Sequence, residues 1–452
     1  MGATVVLAFK PWKSPMRSEA RISAEQRAQW SSEPAFVFSM AAAAVGLGNL
    51  WRFPYMVGEN GGGAFILAYL IALAVVALPI MMLEVGAGRL AQGSVVATFR
   101  TVGRIGTAYG WFVVLLTVVI TSYYLVITGW TLGYALSAFR MAVEPFDEFT
   151  SGYNSIWYFL AVTILATLLL IRGVSAIERF SKLLMPVLVL VIIGLVIAGV
   201  RMDGWAEARS FLFTADFSRL SDGRLWFFAF GQAFYTLAIG QGYLMTYGSY
   251  IPRRTHVPRA CLVVAATETS IALLAGAMIF PFVFTYGFDP GTGSQLAFDT
   301  LPRVFDEMAG GAWVAMAFFF LFFAAAFSSC LAGLKVIIAA TAEEFDLPDH
   351  RAVIAVGVLM LFLGLPSALS FSPVGLEVWG MPFLDFVDQF GGTNVVVTSG
   401  VLGAGLICWL VPRPKIAYAL GAKSRWWEYR IFIVGRSLPF VAAGFAIWQL
   451  WR

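Results

Sequence analysis

Two glycine pairs sit in the middle of long apolar stretches. One lies in Ala41-Ala42-Ala43-Ala44-Val45-Gly46-Leu47-Gly48-Asn49, followed by Trp51-Arg52-Phe53-Pro54. The other closes the run Gly231-Gln232-Ala233-Phe234-Tyr235-Thr236-Leu237-Ala238-Ile239-Gly240-Gln241-Gly242. Breaks of this kind inside a membrane are tolerated where the freed backbone groups face protein or a cavity. Such breaks offer two kinds of chemistry. Helix N-termini present free N–H groups and a positive dipole end to a carboxylate. Unwound carbonyls suit a hard cation such as sodium, which takes oxygen ligands. Asn49 and Thr236 stand beside the two breaks as further oxygen donors. Small residues also let helices pack closely. The matched placement, five apolar runs apart and each with an oxygen donor beside it, favours the ligand reading.

The elements that must hold these residues follow from composition. Of 452 residues, 60% are hydrophobic and 12% charged, against roughly half and a quarter in a soluble domain. This excludes a soluble enzyme, a nucleic-acid binder and a disordered scaffold. Runs of about 20 apolar residues mark membrane-spanning helices. They fall near residues 36–58, 64–88, 107–139, 155–171, 182–200, 224–250, 258–287, 311–341, 352–371, 380–411 and 430–450. None alternates as barrel strands do. The expected fold is therefore an all-α integral membrane protein of about eleven transmembrane helices. Broken first and sixth helices point to a 5+5 inverted repeat with a binding site at the midplane. Its expected parts are a cytoplasmic tail over 1–30, a first five-helix repeat over 31–200, an inverted second over 224–411 and an additional helix 11 over 430–452.

Most Lys and Arg fall on one side of these spans, including Lys10, Lys13, Arg17, Arg104, Arg179, Arg253, Arg254, Lys415 and Arg425. The positive-inside rule then makes the N-terminus cytoplasmic and puts Arg452 outside, in the cell inner (plasma) membrane. No long apolar stretch precedes Lys10, so no cleaved signal peptide is expected. Three cysteines and two histidines leave little material for a disulfide framework or a zinc site. No nucleophile–base pairing suggests an enzyme, and no continuous polar lining suggests a channel. The expected partners are a small-molecule substrate and the bilayer, with no nucleic acid, in a monomer or weak homodimer.

The motifs AVGLGNLWRFPY (44–55), ENGGGAF (59–65) and GQAFYTLAIGQGYLMTYGSY (231–250), with Glu84 ahead of Gly88-Arg89, resemble the neurotransmitter:sodium symporter family, in its bacterial amino-acid branch. The resemblance runs through the tenth span and implies a leucine-transporter-like fold and two sodium sites. The first would use the Ala44 carbonyl, Asn49, Thr236 and, on span 7, Glu268, completed by the substrate's own carboxylate. Anchoring on Gly276 puts Glu268 where chloride-dependent relatives have an Asn, with a slip of one residue left open. Its fixed charge would replace chloride, so chloride independence is expected, with Glu268 as a proton carrier on the return step or as a neutral, hydrogen-bonded group. The second site would use the carbonyls of Ala42, Val45 and Ala325 with the hydroxyls of Ser328 and Ser329. A competing register puts Phe327 at a ligand position.

By the same resemblance the substrate's carboxylate would meet Leu47 and Gly48 N–H groups and the Tyr124 hydroxyl. Its ammonium would meet the carbonyls of Ala44, Tyr235, Thr236 and Ala238. Ile120, Tyr124, Tyr235, Gln241, Ser329 and Gly333 would line the side-chain pocket. Monoamine carriers have an aspartate where this chain has Gly46, so an α-amino acid is the better fit. Gln241 either reads a larger or partly polar side chain or hydrogen-bonds unwound backbone. Arg52 and Asp388 would form the external gate above Tyr124 and Tyr235. Arg27, Trp30, Tyr250 and Glu343 would form the internal one. Glu84 would cap freed backbone of span 6, and Lys335 and Arg436 read as snorkelling or packing residues. The function implied is sodium-coupled, alternating-access symport of amino acids. The alternatives are a sodium-independent or proton-coupled exchanger and a non-transporting sensor.

Overall fold

The computed structural model describes residues 29–140, 144–252, 255–291, 296–421 and 425–450. Apolar content and helix-compatible residues give long helices wherever the hydrophobic runs predict them. We number them helix 1 (Glu33–Ala44 and Gly48–Glu59), helix 2 (Gly63–Ala91), helix 3 (Arg104–Phe139), helix 4 (Asn154–Leu170) and helix 5 (Val174–Val200). Helix 6 comprises Gly223–Thr236 and Tyr243–Gly248, and helix 7 spans Val257–Thr285. Helix 8 (Gly311–Glu344), helix 9 (Asp349–Leu369), helix 10 (Phe383–Leu410) and helix 11 (Arg425–Leu450) complete the bundle. Among the described residues, seven helices are long and apolar enough to cross a membrane, and the bent pair of helix 1 adds an eighth. The bundle is two five-helix halves with a broken leading helix in each, as the glycine pairs predict.

Helices 3 and 8 form the central wall. With 36 and 34 residues they reach about 54 and 51 Å at 1.5 Å per residue, well beyond a hydrocarbon core of roughly 30 Å. They therefore tilt or project into the headgroup layer. Helix 5 begins at Val174, eight residues before the apolar run that announces it. The extra turns carry Glu178, Arg179 and Lys182, so the helix continues past the point where hydropathy falls. Helix 10 begins after a small antiparallel hairpin that pairs Glu377–Val378 with Met381–Pro382. Pro382 then sits at its N-cap, which places its start at residue 383 rather than at 380.

The first half of helix 1 starts on Ser32, whose side chain accepts the Ala35 N–H at 3.2 Å and satisfies one orphan donor of the first turn. It stops at extended Val45 (φ −75°, ψ 107°). The second half restarts with a wide π turn over Gly48–Arg52, and the two halves meet at 52°. Helix 6 opens over Leu237–Gly242. Ala238, Gly240 and Gly242 all have left-handed φ values of 53°, 79° and 77°. Such a conformation is cheap for glycine and costs an alanine about 1–2 kcal/mol, so the strain at Ala238 is stored in the break.

Side chains from distant helices hold the opened backbone. Glu84 Oε1 accepts the Gly240 N–H at 3.0 Å, and Ser399 Oγ donates to the Gly240 carbonyl at 2.7 Å. Gln232 Nε2 donates to the Gly48 carbonyl at 2.9 Å, which ties one break to the helix of the other. Gly240 also closes on helix 10: a Cβ there would stand 2.7 Å from the Val396 carbonyl and against the backbone of Gly400. Gly240→Ala should therefore cost about 1–3 kcal/mol of stability and lower the unfolding temperature in detergent. A variant that unfolds with the parent would show that this glycine is not what lets helix 6 open.

Candidate sodium and substrate site

A carboxylate joins the two breaks. Glu268 on helix 7 is fully buried. Its Oε1 accepts from Asn49 Nδ2 and from Thr236 Oγ1, and its Oε2 accepts from Thr269 Oγ1 at 3.3 Å. Asn49 Nδ2 also reaches the Glu268 backbone carbonyl at 3.3 Å, and Asn49 Oδ1 accepts the Gly46 N–H at 3.2 Å. Asn49, Thr236 and Glu268 therefore converge, which removes the one-residue slip left open for helix 7. Ala44 ends the first half of helix 1 immediately above them. Among the described residues no Lys or Arg lies within ion-pair distance of Glu268. A charged carboxylate buried without a cation is costly. An all-oxygen set with one negative charge fits a small hard cation or a proton.

A second oxygen cluster lies where helix 8 crosses helix 1. Ser328 Oγ donates to the Ala42 carbonyl at 2.6 Å and to Ala325 at 2.8 Å. Ser329 Oγ donates to Ala43 at 2.9 Å and reaches Val45 at 3.4 Å. Phe327 turns away, its ring 5.6 Å from Phe180 and 5.5 Å from Phe323. Helix 8 thus adopts the register that presents Ser328 and Ser329 to helix 1. The cluster consists of carbonyls and hydroxyls with no formal charge, a donor set that suits a monovalent ion.

Between the clusters lies a buried pocket wall. Tyr124 Oη accepts the Leu47 N–H at 2.9 Å, which leaves its own hydrogen to donate. Gly46 fits closely against this wall, because a Cβ there would run into Ser329 Oγ and stand 2.6 Å from Tyr124 Oη. Gly48 lies against the Tyr235 ring, 3.1 Å from where its Cβ would be. Ile120 and Ala238 are buried. The Tyr235 carbonyl is taken by the Ala238 N–H at 3.0 Å. Gln241 is buried, and its backbone carbonyl accepts from Thr117 Oγ1 at 2.7 Å. A Cβ on Gly333 would stand 2.6 Å from both Thr121 Oγ1 and Tyr243 Oη. These two hydroxyls were missed by sequence reasoning, although Tyr243 directly follows the second glycine pair.

Arg52, Trp30 and Tyr250, expected at the two gates, are all buried. On one side the Arg52 guanidinium lies 4.7 Å above the Tyr235 ring and is itself buried. Asp388 begins the π stretch Asp388–Val395 of helix 10. There its carboxylate lies near the Tyr123 hydroxyl and within electrostatic range of Arg52. On the other side Trp30 is buried. Its N–H donates to the Tyr250 carbonyl at 3.0 Å and its indole Nε1 to the Tyr247 carbonyl at 3.1 Å. Glu343 accepts the Ser94 N–H at 2.6 Å, and Arg27 lies outside the described residues. Ser31 donates to Glu178 through its N–H at 3.0 Å and its hydroxyl at 2.5 Å, and Lys182 pairs with Glu178 at 2.6 Å. This second latch onto helix 5 carries no motif that would reveal it. Lys335 is buried rather than snorkelled, 3.7 Å from Asp349 and 5.6 Å over the Tyr250 ring.

The sodium:neurotransmitter symporter family matches residues 27–156 and 148–416. A sodium-dependent transporter of Haemophilus influenzae is 31% identical over 441 residues, 91% of this chain and 96% of its own length. The human sodium- and chloride-dependent neutral and basic amino acid transporter B(0+) is 23% identical over 526 residues, 94% of this chain and 80% of its own. Among solved structures, MhsT in complex with L-phenylalanine superposes with a TM-score of 0.85 at 34% identity, covering 93% of this chain and all of that one. Its fold is the one described above. Matched from the edge of its N-terminal tail through helix 10, the chain belongs to the sodium:neurotransmitter symporter family and is a sodium-dependent membrane transporter.

Proposed function

We propose that the protein is a symporter that couples sodium entry to uptake of an α-amino acid and does not need chloride. The observation that carries this reading is the Glu268 carboxylate, buried and shared by Asn49 of one broken helix and Thr236 of the other. A first sodium would sit among Ala44, Asn49, Thr236 and Glu268. A second would sit among Ala42, Val45, Ala325, Ser328 and Ser329. The carboxylate at Glu268 supplies the negative charge that an anion would otherwise bring to the first site.

The substrate's carboxylate would take the Tyr124 O–H, the freed N–H groups of Leu47 and Gly48, and the first sodium. Because the substrate is then itself a sodium ligand, the two bind with mutual gain. Its ammonium would face the carbonyls of Ala44, Tyr235, Thr236 and Ala238. Its side chain would run between Ile120, Tyr235 and Ser329 toward Gln241 and Gly333, where the Thr121 and Tyr243 hydroxyls stand. The small side chain of Ala238 favours a large substrate, and the Thr121 and Tyr243 hydroxyls, which fill the space beside Gly333, favour one with a polar end. MhsT holding L-phenylalanine is consistent with that size.

The Arg52–Asp388 pair with Tyr235 would open outward. Trp30, Tyr250, Glu343 and Arg27 would open inward, as the halves over 31–200 and 224–411 rock. The distribution of Lys and Arg supports a cytoplasmic N-terminus in the plasma membrane.

The test is binding of a panel of amino acids to purified protein with sodium or potassium as the only cation. Binding confined to sodium is the expected outcome. Binding indifferent to the cation would point to an exchanger, and binding without counterflow of labelled substrate in vesicles to a sensor. Asn49→Ala should weaken sodium and substrate affinity together by roughly tenfold or more, the loss implied by about 1–3 kcal/mol. Substrate binding that keeps its full affinity and sodium dependence in that variant would break the proposed coupling. Glu268→Ser should depress transport in chloride-free buffer and recover part of it with chloride. Unchanged transport with no chloride response would remove Glu268 from the first site.

A further inference from the structure

Away from both gates, helix 11 carries an arginine on an apolar face. Arg436 lies eleven positions into Arg425–Leu450, about 16 Å along the helix at 1.5 Å per residue. Its neighbours on the same side, Ile433 and Phe440, are 65% and 71% exposed. In a membrane that surface faces lipid, where an isolated arginine is costly. Arg436 recovers part of this by donating Nε–H to the Cys408 carbonyl at 3.1 Å. That carbonyl belongs to the last turn of helix 10, whose acceptors have no partner within the helix.

A second guanidinium joins it. Arg413, which opens the short helix Arg413–Leu420, lies 5.6 Å from the Phe432 ring, and Arg436 lies 5.3 Å from the same ring. Arg413 also stacks 4.2 Å over Tyr429 and stands 3.5 Å from Glu428. Among the described residues Glu428 is the one carboxylate within ion-pair distance of either arginine. Glu428 therefore offsets Arg413, and the charge of Arg436 is left without a carboxylate within ion-pair distance among the described residues. Side chains on a helix lean toward its N-terminus, so Arg436 reaches toward the Arg413 end. Beyond the pair runs an exposed apolar wall of Trp409, Leu402 and Phe440, 48%, 46% and 71% exposed.

We propose that Arg413 and Arg436 bind the headgroup phosphate of an anionic phospholipid, whose acyl chains lie along the Trp409–Phe440 wall. The guanidinium fork matches a phosphate in geometry as well as charge. Basic pockets between membrane helices hold such headgroups. A soluble anion would satisfy the charge but leave the wall to other lipids. An amphiphile with one net negative charge satisfies both. Bound there, it links the segment after helix 10 to helix 11. The site is independent of the sodium and substrate assignments.

The test compares the full chain in phosphatidylcholine with and without phosphatidylglycerol, by thermal unfolding and by lipid retained in native mass spectra. Phosphatidylglycerol should raise the unfolding temperature and be retained. The Arg413→Gln/Arg436→Gln variant should retain it about tenfold less, the loss of a charge-assisted contact. Arg303→Gln, remote from this face, should behave as the parent. Equal retention by the double variant, or an equal stabilisation by inorganic phosphate, overturns the proposal. Should the double variant not fold, a photoactivatable phosphatidylglycerol on the parent protein decides. Labelling over residues 402–440 is expected, and labelling only elsewhere refutes the site.

Discussion

The structure depends on one buried carboxylate, that of Glu268, which among the described residues has no Lys or Arg within ion-pair distance. Glu268 reaches from helix 7 into the place where helices 1 and 6 both come apart, and it accepts hydrogen bonds from Asn49 and Thr236, one on each broken helix. Two opened helices in a membrane interior would otherwise expose backbone polar groups at several kcal/mol each. Around this carboxylate they are instead organised into oxygen donors facing a common centre. The charge that makes the centre expensive when empty is also what makes a small cation welcome there. Binding free energy and the stability of the closed bundle thus draw on the same groups.

The rest of the bundle keeps the two breaks open at the right places. Glu84 and Ser399 fasten the two sides of the Gly240 peptide region, and Gln232 fastens the Gly48 carbonyl. Ser328 and Ser329 hold the last carbonyls of the first half of helix 1. The Gln232 bond joins helix 6 to helix 1, and each of the other contacts ties a broken helix to helix 2, 8 or 10 through a single hydrogen bond. Such bonds are worth about 1 kcal/mol net, strong enough to order the site and weak enough to exchange for an ion or a substrate. Ser329 has two roles, because its hydroxyl touches the Val45 carbonyl and also crowds Gly46 beside Tyr124. The ion cluster and the substrate wall meet at that atom.

The positions of the breaks, the helix order and the convergence of Asn49, Thr236 and Glu268 were legible in the sequence. Glycine pairs and long apolar runs are local signals, and the family resemblance supplied the partners on helices 7 and 8. The register of helix 8 was settled by sterics, since Phe327 packs on Phe180 and leaves the two serines to helix 1. Gln232, Ser399, Thr121 and Tyr243 went unseen because each acts across the bundle on a residue far away in the chain. The early start of helix 5 was hidden because hydropathy ends where the helix leaves the lipid. The Ser31–Glu178–Lys182 latch had no signal at all. A serine and an ordinary i, i+4 charge pair become a latch only once helices 1 and 5 are side by side.

Trp30 donates to two main-chain carbonyls, its indole N–H to that of Tyr247 and its backbone N–H to that of Tyr250. Main-chain acceptors are present whatever side chain the position carries. Both bonds therefore outlast a change of side chain at 247 or 250, where only the ring packing on Trp30 would be lost. The dependence runs the other way at position 30: its backbone N–H would still reach Tyr250 after a substitution, while the bond to Tyr247 needs the indole itself.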